Sequence, residues 1–440
     1  MPLHDDEMNR RREKREAQRK KQEAERKRLK IMLIMAAVVL VLCGIGIYKL
    51  SQKTADPSLQ AADAAETTEA TEAPTEAAKA TSAADQSPIT TIHIKAAGDL
   101  NVTDSVVNSG MSVSGYDFSR AFKDVAAVLA DADLTVLNFE GNACGEPYGS
   151  STTSAPIELL QGLRNCGVDL VQTANSCVIN NGLIGLTSTL NAIRSAGLEP
   201  VGSFATLSER QSSKGYTIAD VQGVKVAFVA FTKGIGGRGM PAGNEDLVNL
   251  LYVDYATEYS EVDWQGIEST LKNVEAEKPD ITIALLHWGS EYNDDITKTQ
   301  KSIITRMQKN GVDVILGTHP HTLQPIIYDE AKGTLVAYSL GDFFGDAARG
   351  GTNYSIILDL EITKDSSTGI TKVTDYSYTP IYTLTEAECD GYRRVVRINK
   401  ALEAYEGNYL DKITATAKEN MVYALTRIED RLAPPKEEDD

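Results

Sequence analysis

The sequence predicts an α/β body in which helices cover a β-sheet. From Thr91 onward, short β-branched runs alternate with segments of helical period. The runs are nearly continuous in apolar residues, as strands buried on both faces should be. Most of them lead directly into a carboxylate, an amide or an imidazole. The 440-residue length has room for two to three domains of about 150 residues each. With 42% hydrophobic and 24% charged residues, the chain is not wholly disordered.

The first segment, residues 1–30, is a basic tail with 12 Lys+Arg against 7 Asp+Glu. The whole chain carries −18, so the remaining residues carry −23. A body that acidic is a poor nucleic-acid partner, because phosphates need a basic surface. Ile31–Tyr48 is an uncharged apolar run of 18 residues, near the minimum for a bilayer-spanning helix. The basic flank Arg10–Lys30 keeps the N-terminus cytoplasmic and places the main body outside the cell. The alternative is a cleaved signal peptide, but its basic region would be unusually long and no A-x-A-like site follows closely. A lipoprotein site at Cys43 has bulky Leu42 before it, where a small residue is expected. The basic residues 10–30 could also be read as a nucleic-acid patch; beside a membrane span, orientation and contact with lipid headgroups explain them better. Residues 49–90, rich in Ala, Thr and Glu, form a disordered stalk with little to bury. Five cysteines without a CxxC pair give neither a disulfide scaffold nor a zinc ribbon.

The main domain spans residues 91–360. Expected strands are 91–97, 134–139, 168–174, 224–231, 281–286, 312–316 and 334–340. Expected helices are 118–132, 157–166, 182–196, 263–278 and 298–310. Asp99 follows the first strand, Asn138 and Glu140 close the second, and Asn175 follows the third. His287 follows strand 281–286, His319-Pro320-His321 follow 312–316, and Asp342 follows 334–340. In open α/β sheets the ligand crevice lies outside the carboxyl ends of the strands. A lone Gly-Asp or Asn is usually a turn, and a lone His is usually a packed side chain. His319-Pro320-His321 is different. Proline drives the residue before it toward extended geometry, where residues two apart point to one side. The joint pattern points to a metal centre. Mixed imidazole and carboxylate donors suit Zn, Fe or Mn better than Ca or Mg.

The strings AAGD, LNFE, TAN with GLIGL, LLHWGSEY, Gln300, GVDVILGTHPHTLQP and YSLGDF together resemble the CapA family of capsule and poly-γ-glutamate synthesis proteins. The resemblance covers about Ile92–Asp346 and implies a calcineurin-like metallophosphatase β-sandwich flanked by helices. It implies Asp99 as the first carboxylate ligand, Glu140 as a bridging carboxylate and Asn175 as an amide ligand. His287, His319 and His321 supply imidazoles to two divalent ions (Mn, Fe or Zn). It also implies an anchored extracellular domain acting on an anionic surface polymer, with capsule synthase membrane subunits as possible partners.

One departure from the family is expected to matter. The family's Ala-Asn-Asn-His, with Asp three residues later, is replaced here so that Cys177 stands for the His and Asn180 for the Asp. That His contacts substrate and can protonate the leaving group. A thiol and a neutral amide do not reproduce it. The expectation is a metal pocket with a degraded general-acid position. Cys177 could also be a new nucleophile or a soft ligand; a small filler is the plainer reading. Asp342 stands where the family more often has Asn, as a turn residue or a ligand's partner. Gly234–Gly239 lacks the Lys-Ser/Thr of a P-loop and reads as a lid. Arg238, Asp342 and Gln324 are the candidate substrate contacts. Residues 361–432 extend the domain, with strands over 352–380 and amphipathic helix over 394–432. Residues 433–440 are an acidic tail. The expected role is synthesis, export or attachment of an anionic capsule polymer. The rivals are an active phosphoesterase on envelope material and a non-catalytic scaffold of a capsule synthase.

Overall fold

The computed structural model of the chain describes residues 88–407 and 412–434. The basic tail, the apolar run Ile31–Tyr48, the stalk as far as residue 87 and the acidic tail from residue 435 lie outside the described residues. Among the described residues no helix is long and apolar enough to cross a membrane.

Each of the seven expected runs carries a strand, and strands at 199–201, 216–221, 323–329, 342–344 and 394–397 join them unexpectedly: β1 (Ile89–Asn101), β2 (Leu134–Glu140), β3 (Leu170–Gln172), β4 (Glu199–Val201), β5 (Tyr216–Val221), β6 (Val224–Thr232), β7 (Ile281–His287), β8 (Val314–Thr318), β9 (Leu323–Asp329), β10 (Thr334–Leu340), β11 (Asp342–Phe344), β12 (Tyr354–Asp365), β13 (Ile370–Leu384) and β14 (Arg394–Arg397). The longer helices are α1 (Ser119–Ala130), α2 (Ile157–Asn165), α3 (Gly182–Ser195), α4 (Trp264–Ala276), α5 (Lys298–Lys309), α6 (Ile398–Glu406) and α7 (Ala415–Leu432). The first sheet runs β14-β13-β12-β1-β2-β3-β4, with β11 also paired to β1. The second runs β9-β10-β8-β7-β6-β5. Each is mixed: β1 to β4 are mutually parallel, as are β6, β7, β8 and β10, and antiparallel strands flank them, on one side of the first sheet and on both sides of the second.

The two sheets face each other across one apolar core. Alternate residues of the second sheet's strands serve different cores. Val226, Phe228, Ile283, Leu285, Val314 and Leu316 join the core shared with the first sheet. Ala227, Val229, Phe231, Ala284, Leu286 and Ile315 face outward against α4 and α5 through Ile267, Leu271, Ile303 and Met307. That is why these strands read as continuous apolar runs instead of alternating ones. Gln300, one of the residues carrying the family resemblance, builds the capping box that starts α5 with Thr297.

Three expectations are corrected. The first strand does not stop at Ala97: β1 continues to Asn101, so Asp99 sits within a paired strand and not in a turn. Residues 394–397 are a strand paired to β13, and helix begins only at Ile398. Strand β13 runs past Pro380 to Leu384. In each case sheet pairing overrides a local signal, as tertiary context does for weak propensities.

Candidate metal centre

The carboxyl ends of the parallel strands converge on one buried cluster. Register places Asp99 opposite Asn138 on one side and Asp342 on the other. Gly98 makes the approach of β1 to β11 possible. A Cβ at Gly98 would lie 1.7 Å from Gly341 O. With none there, Asp99 N donates to that oxygen at 2.8 Å. The Asp99 carboxylate then accepts Asn138 Nδ2 at 2.6 Å and His319 N at 3.0 Å.

Glu140 is the hub. Its donor oxygens form one group with His287 and His319, and another with Asp99 and His321, each group lying within 4.8 Å. Glu140 Oε1 is 3.3 Å from His287 Nε2, and Oε2 is 3.8 Å from His321 Nε2. Buried Oε2 has no hydrogen-bond partner. A buried carboxylate oxygen without a donor is costly unless a cation or another donor meets it. The orphan Oε2, on the His321 side, fits a divalent cation there, and the group with His287 and His319 offers donors for a second.

Neighbouring groups orient the imidazoles. Thr318 Oγ1 donates to Gln172 Oε1 at 3.5 Å and lies 3.1 Å from His287 Nδ1, which Asn138 Nδ2 also approaches at 3.4 Å. His287 Nε2 is thereby turned toward Glu140. Asp342 Oδ1 takes His321 Nδ1–H at 2.8 Å and also accepts Asn101 Nδ2 at 3.0 Å. His321 Nε2 is thereby left for an ion. Carboxylate or hydroxyl partners of this kind orient metal-binding histidines. Asp342 is therefore the hydrogen-bond partner of His321 and not only a turn residue.

The charges are strongly interdependent. Burial, then Glu140, raises the Asp99 carboxyl. Burial would also raise Glu140, but His287 and His321 outweigh it and bring it down to about 2. Burial lifts Asp342 to about 7 against the pull of His321. Burial opposes charge on His321, yet Asp342 and Glu140 raise it to about 11. Burial, then His287, holds His319 well below the usual imidazole range.

His319 and His321 do face one site, with ring centroids 6.2 Å apart. The expected reason was wrong. Neither is extended: φ is 97° at His319 and 59° at His321. Both lie in the left-handed region that non-glycine residues rarely occupy, a strain seen mostly at functional sites.

The remaining candidates lie around this cluster. Asn175 is buried. Its Nδ2 donates to Phe139 O at 2.7 Å and Asn138 Oδ1 at 3.0 Å, and its Oδ1 accepts Cys177 N. Cys177 is half-buried; burial first, then Glu140, pushes its thiol far above the ordinary range. Asn180 donates to Thr153 Oγ1 and accepts Arg238 Nη1 at 2.6 Å. Arg238 is exposed on the 234–239 loop. Gln324 is buried and donates to Asn293 O, bracing the loop that carries Glu291 and Tyr292. Beside His319 opens a cleft of about 330 Å³ whose lining includes Ser176, Lys233, Gly236, Tyr259 and Glu291. Sequence reasoning missed Ser176, Lys233 and Asn101. Lys233, directly after β6, offered the same signal of a polar residue closing an apolar strand.

A family model described as "Bacterial capsule synthesis protein PGA_cap" matches residues 93–347. The chain belongs to the PGA_cap family. All three imidazoles and the Asp99, Glu140 and Asp342 carboxylates fall inside the matched region. Among PGA_cap relatives, the "PGA biosynthesis protein CapA" of Bacillus subtilis (strain 168) is 29% identical over 261 residues, covering 58% of this chain and 63% of the relative. The "Capsule biosynthesis protein CapA" of Bacillus anthracis is 27% identical over 268 residues, covering 59% of this chain and 62% of the relative. The chain thus spans less than two thirds of the length of these PGA_cap relatives. Among solved structures, the calcineurin-like phosphoesterase YfkN of Bacillus subtilis aligns with a TM-score of 0.42 and 17% identity, over 78% of this chain and 98% of that one.

Proposed function

We propose that this chain is a membrane-anchored, extracellular PGA_cap protein whose calcineurin-like two-ion centre serves the synthesis, export or attachment of an anionic capsule polymer. The Bacillus subtilis relative is named for PGA biosynthesis, and poly-γ-glutamate is the polymer we infer. One observation carries the metal reading: buried Glu140 is shared by two donor groups, and its Oε2 has no hydrogen-bond partner. Asp99, Glu140 and His321 would hold one divalent ion; Glu140, His287 and His319 the other. Such a pair supplies Lewis acidity toward a phosphoryl or carbonyl oxygen.

The chain's own residues determine what can accompany that chemistry. The cleft beside His319 offers Lys233 to an anionic group, and Arg238 stands exposed at its loop. An acidic body gives a polyanion no broad attraction, so contact is local to these cations. At the position of the family's leaving-group acid, Cys177 holds its proton too tightly to give it up readily. The site is therefore built to hold ions and an anion, with weak proton donation to a leaving group. Ile31–Tyr48 supplies the anchor, with synthase membrane subunits as partners.

Elemental analysis of the purified full chain should find two transition-metal ions per protein. In the source strain, a deletion complemented by Glu140→Gln should lack surface polymer that the unaltered gene restores. Metal-free purified protein, together with full capsule from the Glu140→Gln strain, would refute the proposal.

A further inference from the structure

The residue that the resemblance nominates as the second ion's oxygen ligand, Asn175, is already engaged. Phe139 O accepts from one end of its amide at 2.7 Å, and a backbone carbonyl cannot donate, so that end must be nitrogen. The amide oxygen therefore points the other way and accepts Cys177 N at 3.1 Å. Asn175 is 1% exposed and braces the turn after β3 against β2.

The next residue occupies the place where the imidazoles converge. Ser176 Oγ lies 2.9 Å from His287 Nε2 and 3.5 Å from His319 Nδ1. Those two rings belong with Glu140 to one donor group, and Glu140 Oε1 is 3.3 Å from His287 Nε2. Ligands about 2.1 Å from a common ion lie roughly 3.0 Å apart at right angles and roughly 3.4 Å apart in a tetrahedron. The three separations fall in or near that range. Hydroxyl oxygens of Ser and Thr are established ligands of divalent ions.

We propose that the Ser176 hydroxyl, rather than the Asn175 amide, is the oxygen ligand that joins Glu140, His287 and His319 around the second ion. The inference rests on the two-ion reading above. It leaves Asn175 as a positioning residue. It also puts a ligand on the wall of the cleft beside His319, where half-buried Ser176 and Lys233 both line the path of an incoming anion.

Cobalt(II) titration of the purified full chain tests it, with Cys177 changed to Ser as background so that the neighbouring thiol is silent. Ser176→Cys should give a near-ultraviolet thiolate-to-cobalt charge-transfer band that saturates with one of two ions. Ser176→Ala should weaken one ion by about 10- to 100-fold and leave the other unchanged. If the background protein binds two ions, Ser176→Cys gives no band and Ser176→Ala keeps both affinities, the inference is overturned and the two-ion reading stands. If the background protein binds no ion at all, the two-ion reading fails, and the inference with it.

Discussion

Replacing Gly98 by alanine should unseat the ions without touching a ligand. The new Cβ would lie 1.7 Å from Gly341 O, where a real Cβ keeps at least 3.0 Å. The obstacle is backbone, which cannot rotate away, so β1 and the start of β11 must part by about 1.3 Å. That separation breaks the Asp99 N to Gly341 O hydrogen bond. It also moves Asp99 away from Asp342, whose carboxylate orients His321. Metal ligands tolerate displacements of about 0.2 Å, several-fold less than this. Overpacking of this kind costs about 1–3 kcal/mol, a fall of a few degrees in Tm for a body this large. The assay pairs metal content with thermal melts, with and without chelator. The unaltered chain should melt lower when chelated; Gly98→Ala should melt lower from the start and show no chelator effect. Gly350→Ala, where nothing lies within 4 Å of the added Cβ, should behave as the unaltered chain. Retention of both ions at unchanged affinity by Gly98→Ala would refute the idea that close strand approach builds the site.

Other substitutions separate the two halves of the centre. Glu140→Gln should lose both ions by more than the roughly 10- to 100-fold that removal of an outer partner costs, and Asp342→Asn should weaken only the ion at Asp99 and His321; calorimetric titration resolves the two. Ion binding should release protons at neutral pH, because His321 (raised to about 11) and Asp342 (raised to about 7) hold protons that a cation must displace. Affinity should therefore fall as pH falls, and titration in buffers of different ionisation enthalpy counts the protons. In the chelated protein the sign reverses for stability: the raised His321 contributes fully below its unfolded value of 6.5 and loses that contribution as pH climbs toward about 11. Melts of chelated protein across that window, compared with His321→Asn, check it. Cys177→His together with Asn180→Asp should raise any phosphodiester turnover by about 100- to 10,000-fold; an unchanged rate with ions bound means that the position is no proton donor.

Sequence alone carries the alternation of strand and helix, because burial on both faces of the second sheet forces continuous apolar runs that are visible in one dimension. It also determined the inventory of the centre. Parallel strands deliver their carboxyl ends to one side, so Asp99, Glu140, His287, His319 and His321 could be collected by asking what closes each run. Tertiary structure alone decided how those residues are held. The left-handed backbone at His319 and His321, the continuation of β1 through Asp99 and the strand at Arg394–Arg397 all depend on partners far away in the chain. Asn175 and Ser176 are neighbours, and the sequence reading nominates only the first. Only the positions of Phe139 O and of two distant imidazoles make one a brace and set the other among the donors. Which atom can reach an ion is a matter of tenths of an ångström between segments more than a hundred residues apart, and local sequence carries no record of such distances.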